Sequence, residues 1–145
     1  MPRTYAKTLV HCVYGTKNGL NLIRDPQQVW RITREIARNI DVDIVAIGGV
    51  KNHLHFLMTL PPARAMANIV RDLKANSSRV LRQEQRAFRW QDGYAAISVS
   101  PSSMAAVVRY IELQAEHHKK RSFQDEYIAI LERAGIVYDT RYVWE

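Results

Sequence analysis

The sequence has few of the features that mark secreted or membrane proteins. A single cysteine, Cys12, excludes an intrachain disulfide framework and suits a reducing compartment. The first residues lack the apolar core of a signal peptide, and no apolar run is long enough to cross a bilayer. Internal repeats and low-complexity segments are also missing. These absences exclude the disulfide-rich and membrane-spanning classes, and we expect a soluble, intracellular protein.

Acidic residues are outnumbered by basic ones. The chain contains 21 lysines and arginines against 14 aspartates and glutamates, which gives a formal net charge of +7. The basic residues are concentrated in residues 64–89 and in the run HHKKR at residues 117–121. Either segment alone could be the solvated face of a helix, but the two together favour a polyanionic partner such as nucleic acid.

The hydrophobic pattern predicts one domain spanning residues 1–145, because the chain is short and contains no convincing linker. Alternation and β-branched residues predict strands, whereas apolar residues at helical spacing predict helices. The predicted strands are residues 4–14, 42–50, 53–60 and 94–100, and the predicted helices are residues 25–40, 64–86, 104–120 and 122–134.

The first six elements follow the order β-α-β-β-α-β, which is the split arrangement of a ferredoxin-like α+β fold. Such a fold has a four-stranded antiparallel sheet with both helices on one face. Two predicted C-terminal helices remain after the fourth strand. We expect these extra helices to cover the other face of the sheet.

Two histidines, His53 and His55, interrupt an otherwise apolar predicted strand. Side chains alternate along a strand, so both histidines lie on one face while Leu54, Phe56 and Met58 lie on the other. The apolar side chains should pack on the first two helices, which leaves the histidines facing the C-terminal helices. The pair is a candidate for binding one cation, although half-buried histidines satisfied by hydrogen bonds are the simpler explanation of the pair taken alone.

The first C-terminal helix contributes two more candidate residues, Tyr110 and Gln114, which lie one turn apart at the edge of its apolar face. The amide oxygen of Gln114 would complete a set of two nitrogens and one oxygen with open positions, which suits Mg²⁺ or Mn²⁺. A phenol next to such a cation is a usable nucleophile for a phosphodiester. Taken alone, Tyr110 is more typical of the border of an amphipathic helix.

Four segments occur together in a recognisable order. They are the strand motif HLH at residues 53–55, the segment WQDGYAAISVSPSS at 90–103, the helix motif YIELQ at 110–114 and the tail DEYIAILERAGIVYDTRYVWE at 125–145. The combination resembles the HUH single-tyrosine transposases of small insertion sequences that move as single-stranded DNA, including their repeat-associated relatives. One departure is VKN at residues 50–52, where relatives often carry Met-Pro before the acidic or amide residue.

The resemblance implies a ferredoxin-like transposase domain in the bacterial cytoplasm that acts as a homodimer. It implies that His53, His55 and Gln114 bind a divalent metal, Mg²⁺ or Mn²⁺. Tyr110 would attack single-stranded DNA with hairpin ends, join the 5′ end of the cut strand and release a 3′-hydroxyl. Strand transfer would reverse this step at a new target. In that family the tyrosine helix can also be donated to the histidine pair of the partner subunit.

Further nucleic-acid contacts are expected from the basic long helix. Its candidate phosphate contacts are Arg71, Lys74, Arg79 and Arg82. Solvated side chains that contact no nucleic acid would explain these residues equally well. Trp90 and Tyr94 could stack on an unpaired base, although packing in the core is the favoured role for both.

Two other functions fit the same residues. A non-catalytic, domesticated protein that binds single-stranded or hairpin nucleic acid would use the same fold and basic surface. A small metallohydrolase would combine the histidine pair with carboxylate ligands, for which Asp41 and Asp43 on the neighbouring predicted strand are the nearby candidates. Formation of a covalent DNA adduct through Tyr110 would distinguish the transposase from both.

Overall fold

The structure, a computed structural model, describes residues 3–145. In this part of the chain four strands form one sheet: β1 (Leu9–Gly15), β2 (Asp43–Val50), β3 (His53–Thr59) and β4 (Ala95–Val99). The α-helices of the same residues are α1 (Pro26–Asn39), α2 (Met66–Leu81), α3 (Met104–Glu112), α4 (Gln114–His117) and α5 (Phe123–Arg133). Across residues 3–145, none of the helices is both long and apolar enough to cross a membrane.

The sheet has the strand order β2-β3-β1-β4, and every neighbouring pair is antiparallel. Because α1 connects β1 to β2 and α2 connects β3 to β4, the chain follows the predicted β-α-β-β-α-β order. The prediction of a ferredoxin-like α+β fold is therefore confirmed.

Two of the helices begin at residues whose side chains cap them. Asp25 accepts a hydrogen bond from the backbone N–H of Gln27, and Pro26 occupies the first position of α1, where no N–H is needed. Ser122 accepts a hydrogen bond from the backbone N–H of Asp125 and caps α5 in the same way. Local chemistry therefore specifies where α1 and α5 start.

The first face of the sheet packs on α1 and α2 through an apolar core. Leu54, Phe56 and Met58 of β3 belong to one buried cluster with Ile69 and Leu73 of α2, and all five side chains are 0% exposed. Full burial of one such side chain stabilises the fold by about 1.5–3 kcal/mol. The core on this face therefore carries much of the stability of the domain.

The second face of the sheet is covered by α3, α4 and α5, as predicted for the C-terminal helices. Leu57 of β3 packs with Ile111 of α3, and Val13 of β1 packs with Phe123 of α5. The backbone of α3 approaches β2 so closely that a Cβ atom on Gly48 would overlap the carbonyl group of Ile111. Glycine is therefore required where α3 crosses the sheet.

Three predicted boundaries differ from the structure. β1 begins at Leu9 rather than at residue 4, because Leu9 already pairs with the last residue of both neighbouring strands. α2 ends at Leu81 rather than at residue 86, because the chain turns back to bury Phe88. The helix predicted over residues 104–120 is broken at Leu113, whose backbone angles (φ −99°, ψ 23°) are not helical. In the described chain, three α-helices rather than two therefore follow β4, preceded by a short 3₁₀ helix at Pro101–Ser103.

Candidate functional site

His53 and His55 lie on the face of the sheet that the C-terminal helices cover, and both are 0% exposed. The ring of Phe123, the first residue of α5, stacks on the ring of His53 with a centroid distance of 4.2 Å. The two histidines are therefore enclosed between β3 and the helices, which is the position that strand alternation predicts for them.

Two polar side chains from the helices reach the histidine pair. Oε1 of Gln114 lies 3.0 Å from Nε2 of His53, and Oε1 of Glu126 lies 2.9 Å from Nε2 of His55. The same oxygen of Glu126 lies 3.6 Å from Nε2 of His53. Gln114 is 1% exposed and Glu126 is 2% exposed. The site therefore contains Gln114, as predicted, together with a carboxylate that was not predicted.

Burial keeps the two histidines neutral. Burial and the neighbouring ring of His55 lower the pKa of His53 to about 3, and burial also lowers the pKa of His55. The contact of His55 with Glu126 is therefore a hydrogen bond from a neutral ring rather than an ion pair, and His53 forms no ion pair with Glu126 at 3.6 Å. A neutral imidazole is the form that binds a metal ion.

The arrangement around His53 fits a bound divalent cation. Nδ1 of His53 lies 2.9 Å from Oδ1 of Asn52, and Nε2 lies 3.0 Å from Oε1 of Gln114. When the one proton of the neutral ring is on Nδ1 and donated to Asn52, Nε2 has a lone pair that faces the amide oxygen of Gln114. Two lone pairs at this distance repel each other unless a positive charge lies between them. The ligand atoms of His53, His55 and Glu126 lie within 4.8 Å of one another, which is close enough for one ion to contact all three.

A third histidine, His11 of β1, holds the ring of His55. Nε2 of His11 lies 2.8 Å from Nδ1 of His55, and the two rings stack with centroids 5.1 Å apart. Burial lowers the pKa of His11 to about 3, so this ring is also neutral. If Nε2 of His55 binds a metal ion, its Nδ1–H can donate to His11, an arrangement that orients the ligand.

Tyr110 lies beside the histidines and shares Glu126 with them. The hydroxyl group of Tyr110 donates a hydrogen bond to Oε2 of Glu126. Burial raises the pKa of Tyr110 above its usual value, and this hydrogen bond to a carboxylate raises it further. In this arrangement the phenol therefore keeps its proton.

Glu126 is ionised, and His118 is one of its hydrogen-bond partners. Although burial raises the pKa of Glu126, hydrogen bonds from His118 and His55 hold it well below its usual range. Although burial lowers the pKa of His118, the hydrogen bond to Glu126 raises it above the ordinary value. Nε2 of His118 lies 3.1 Å from Oε1 of Glu126 and 3.0 Å from Oε1 of Gln114. These contacts of His118 therefore link the end of α4 to α5.

Two clefts lead from the surface to this site, one on each side of Arg121. One cleft of about 390 Å³ is bordered by Tyr110, His117 and Lys120, and the other, also of about 390 Å³, is bordered by Lys51 and His118 among others. Arg121 lies at the border of both clefts. Tyr110, the predicted nucleophile, is therefore reached from the first of these clefts, and Arg121 connects this cleft to the second.

A family model for IS200-like transposases matches residues 4–114, which is most of the chain. The chain belongs to this family. A curated relative, the ISDra2 transposase TnpA of Deinococcus radiodurans, is 25% identical over 91 residues, which are 57% of this chain and 65% of the relative. The matched region thus spans slightly less than two thirds of that relative.

Two solved structures share the fold of this IS200-like transposase. A crystal structure of a Deinococcus radiodurans protein assigned as a transposase gives a TM-score of 0.62 at 23% identity, covering 79% of this chain and 96% of the other. A REP-associated tyrosine transposase bound to a REP hairpin gives a TM-score of 0.58 at 17% identity, covering 81% of this chain and 73% of the other. At these identities the likeness shows the fold.

The basic residues of α2 do not lie beside Tyr110. In this chain, α2 packs on the face of the sheet opposite to the histidines. A groove of about 420 Å³ lies along α2 and is bordered by basic residues and by two aromatic rings, namely Arg71, Lys74, Arg82, Arg89, Trp90 and Tyr94. Arg79 is exposed next to this groove. A phosphate bound there would be separated from the site by the sheet.

Lys74 and Trp90 have structural partners in this groove. Nζ of Lys74 donates to the backbone carbonyl groups of Gln91, Asp92 and Gly93 at 2.8, 3.1 and 2.6 Å. Because an ammonium group has three N–H bonds, a phosphate could contact Lys74 after displacing one of these carbonyls. Trp90 is 7% exposed and donates from Nε1 to a serine hydroxyl, which is the behaviour of a core residue.

The carboxylates suggested for a metallohydrolase are in the wrong place. Asp43 pairs with Thr59 at one end of the β2–β3 hairpin, whereas His53 pairs with Val50 at the other end. Asp41 precedes β2 on the same distant side and is exposed. That assignment is wrong, and the carboxylate that does reach the histidines is Glu126.

Sequence patterns contained a signal for Glu126. In α5 the buried residues are Phe123, Glu126, Tyr127 and Leu131, so a glutamate occupies the apolar face of an amphipathic helix. A buried acid at such a position requires a partner. His11 offers the same kind of signal, since it is a polar residue within the apolar run of β1.

Proposed function

We propose that this chain cuts and rejoins single-stranded DNA through a covalent bond to Tyr110, at a divalent-metal site that contains His53 and His55. The observation that carries the proposal is the position of Glu126. One of its oxygens faces the histidine pair, and the other accepts a hydrogen bond from the hydroxyl group of Tyr110. The nucleophile and the metal ligands are thus adjacent within one chain, which matches the chemistry expected of a tyrosine transposase.

The residues that would hold Mg²⁺ or Mn²⁺ are His53, His55 and Gln114, with Glu126 as a fourth donor. Two neutral imidazoles and two side-chain oxygens form a set that accepts either ion and leaves room for phosphate oxygens. When bound, such an ion withdraws charge from the phosphodiester and stabilises the oxygen that leaves it. His11 orients the ring of His55 for this role.

The chain's own residues would perform the displacement. Oη of Tyr110 attacks phosphorus, the bond between phosphorus and the 3′-oxygen breaks, and the 5′ end of the strand stays on the protein as a phosphotyrosine. Attack by a 3′-hydroxyl on this phosphotyrosine reverses the step and joins the strands. Because one phosphodiester replaces another, the energy of the bond is kept for rejoining.

The proposed substrate is single-stranded DNA with hairpin ends. The clefts on both sides of Arg121 can accept the strand before and after the cut, and the net charge of +7 favours a polyanion. A related structure contains a REP-associated transposase bound to a REP hairpin, which supports a hairpin at the ends. The groove bordered by Arg71, Lys74 and Arg82 could hold such a hairpin on the other face of the sheet. A homodimer remains a prediction.

The decisive experiment is to trap the covalent adduct. The protein is incubated with labelled single-stranded DNA from the ends of its own element and with Mg²⁺ or Mn²⁺, and adducts that survive denaturation are counted on a gel. We expect an adduct that disappears in Tyr110→Phe and persists in the control Tyr142→Phe, which alters a tyrosine that is 55% exposed. Tight DNA binding without any adduct would instead identify a non-catalytic binding protein.

A further inference from the structure

Glu126 connects the two halves of the site through its two oxygens. Oε1 lies 2.9 Å from Nε2 of His55 and 3.1 Å from Nε2 of His118. Among residues 3–145, the hydrogen-bond partner of Oε2 is the hydroxyl group of Tyr110 alone. The residue lies on α5, beyond the segment 4–114 that matches the family model, so the match does not assign it a role. Its buried carboxylate is unusual enough to require an explanation.

We propose that Glu126 accepts the proton of Tyr110 when Tyr110 attacks the phosphodiester and returns this proton when the strand is rejoined. This inference rests on the proposed function, because it assigns a catalytic residue to that reaction. A carboxylate already in hydrogen-bond contact with the nucleophile has the geometry of a general base.

The proton transfer balances in both directions. In the cutting step the O–H bond of Tyr110 breaks, its proton moves to Oε2 of Glu126, and Oη forms a bond to phosphorus. The 3′-oxygen leaves with the electron pair of its bond to phosphorus and becomes a hydroxyl by taking a proton from water. The hydroxide that remains takes the proton from Glu126. Rejoining runs these steps backwards, so that Glu126 supplies the proton as Tyr110 leaves.

Other groups near Tyr110 are less well placed for this role. The ring of His117 lies beside that of Tyr110 with a centroid distance of 4.8 Å, and His11 lies at 6.1 Å. Within the described residues, neither ring forms a hydrogen bond with the hydroxyl group, and the buried Nε2 of His117 has no partner. The contacts therefore favour Glu126.

The surroundings of Glu126 keep it charged and fixed. It lies in the first turn of α5, where the helix dipole stabilises a negative charge. His118 holds one oxygen, which orients the other oxygen toward Tyr110. A base that is already oriented requires no rearrangement when the reaction begins.

The test separates proton transfer from metal binding. Glu126→Gln keeps a side-chain oxygen that can serve as a ligand but removes the base. Mn²⁺ binding to each variant is first measured without DNA. Each variant is then assayed at a Mn²⁺ concentration that saturates its site. We expect adduct formation to slow by about 100-fold or more, the usual contribution of a general base. Glu112→Gln, which alters an exposed carboxylate of α3 outside both clefts, serves as the matched control and should react normally.

A second substitution makes the result specific. Replacing Tyr110 with 3,5-difluorotyrosine provides a phenol that ionises near neutral pH and has little need of a base. In the Glu126→Gln background this replacement should restore most of the lost rate, whereas in the otherwise unchanged protein it should have little effect. Near-ultraviolet circular dichroism confirms that each variant is folded. If Glu126→Gln does not fold, Glu126→Asp moves the carboxylate away from Tyr110 while keeping its charge, and the rate should fall and again be restored by difluorotyrosine.

Either of two results would overturn the inference: Glu126→Gln reacts at the normal rate, or its slow reaction is not restored by difluorotyrosine at saturating Mn²⁺. Failure of the proposed function is seen separately. In that case the unchanged protein forms no adduct, or Tyr110→Phe still forms one, before any change at Glu126 is considered.

Discussion

The two faces of the sheet are buried to the same depth but filled with different chemistry. On the face that packs on α1 and α2, the side chains of β3 are Leu54, Phe56 and Met58, all 0% exposed and all apolar. On the face under α3 to α5, His53 and His55 of the same strand are also 0% exposed. One strand therefore contributes alternately to an apolar core and to a polar site.

This difference shows how a small domain can hold a reactive site without losing its core. The apolar face stabilises the fold by a free energy that is roughly proportional to the hydrocarbon area removed from water. The other face adds polar groups to its apolar contacts, and each ring nitrogen of the histidine pair lies within 3.0 Å of another polar atom. Substitutions at neighbouring positions of β3 should consequently have separate effects on activity and on stability.

The largest effect is expected from His55→Ala. Adduct formation should fall by about 1000-fold or more, because a divalent ion contributes several kcal/mol to charge stabilisation in phosphoryl transfer and His55 is a proposed ligand. Mn²⁺ binding without DNA and adduct formation on gels measure the two losses. Water can enter the polar space that remains, so the stability loss should be smaller than for removal of an apolar ring. A Mn²⁺-dependent adduct formed at the normal rate would show that His55 is not a ligand.

The adjacent substitution Phe56→Ala should act in the opposite way. Removal of a fully buried ring is expected to lower the free energy of unfolding by about 3–5 kcal/mol. Denaturant titration measures this change, and Mn²⁺ binding is measured under conditions in which the variant is folded. The folded variant should bind Mn²⁺ normally. If it loses Mn²⁺ binding while folded, the two faces are not independent.

A smaller effect is expected at His11, which contacts the proposed ligand His55 but does not itself face the metal site. His11→Phe keeps a buried ring but removes the nitrogen that holds His55, so Mn²⁺ affinity should fall about 10- to 100-fold. Isothermal titration without DNA measures this affinity. Cys12→Ala is the matched control, because Cys12 follows on the same strand but lies in the apolar core of the other face. Equal affinity in His11→Phe and the unchanged protein would contradict the role given to His11.

The smallest effect is expected on the exposed side of α2. Arg79→Ala should weaken DNA binding modestly and reduce the slope of log K against log salt concentration by about one, because one phosphate contact is lost. Fluorescence anisotropy with a labelled hairpin at several salt concentrations measures this slope. Adduct formation at saturating DNA should not change, since α2 and the site lie on opposite faces. An unchanged slope would mean that Arg79 is merely solvated.

Much of this arrangement could be predicted from sequence because it depends on local patterns. The β-α-β-β-α-β order follows from periodicity, and the alternation of β3 placed His53 and His55 on the face covered by the C-terminal helices. The helical spacing of Tyr110 and Gln114 placed both residues at the same edge of one helix. These inferences required the period of an element and the order of elements along the chain.

The remaining contacts depend on how distant segments pack. Glu126 meets His55 across 71 positions of the chain, and no local pattern specifies the angle at which α5 crosses the sheet. His11 meets His55 because β1 and β3 pair with Val13 opposite His55, and this register cannot be read from either strand alone. The helix break at Leu113 could not be predicted either, because apolar residues at helical spacing, Ile111 and Ala115, occur on both sides of it.

Gly48 has a consequence for the chemistry as well as for packing. Its missing side chain allows the backbone of α3 at Ile111 to rest directly on β2, and Tyr110 is the residue immediately before that contact. Gly48 thus allows α3 to hold Tyr110, the proposed nucleophile, close to the histidines. A side chain at position 48 would push α3 away from β2 and would separate Tyr110 from Glu126. The distance between these two proposed catalytic residues therefore depends on a residue that has no functional group.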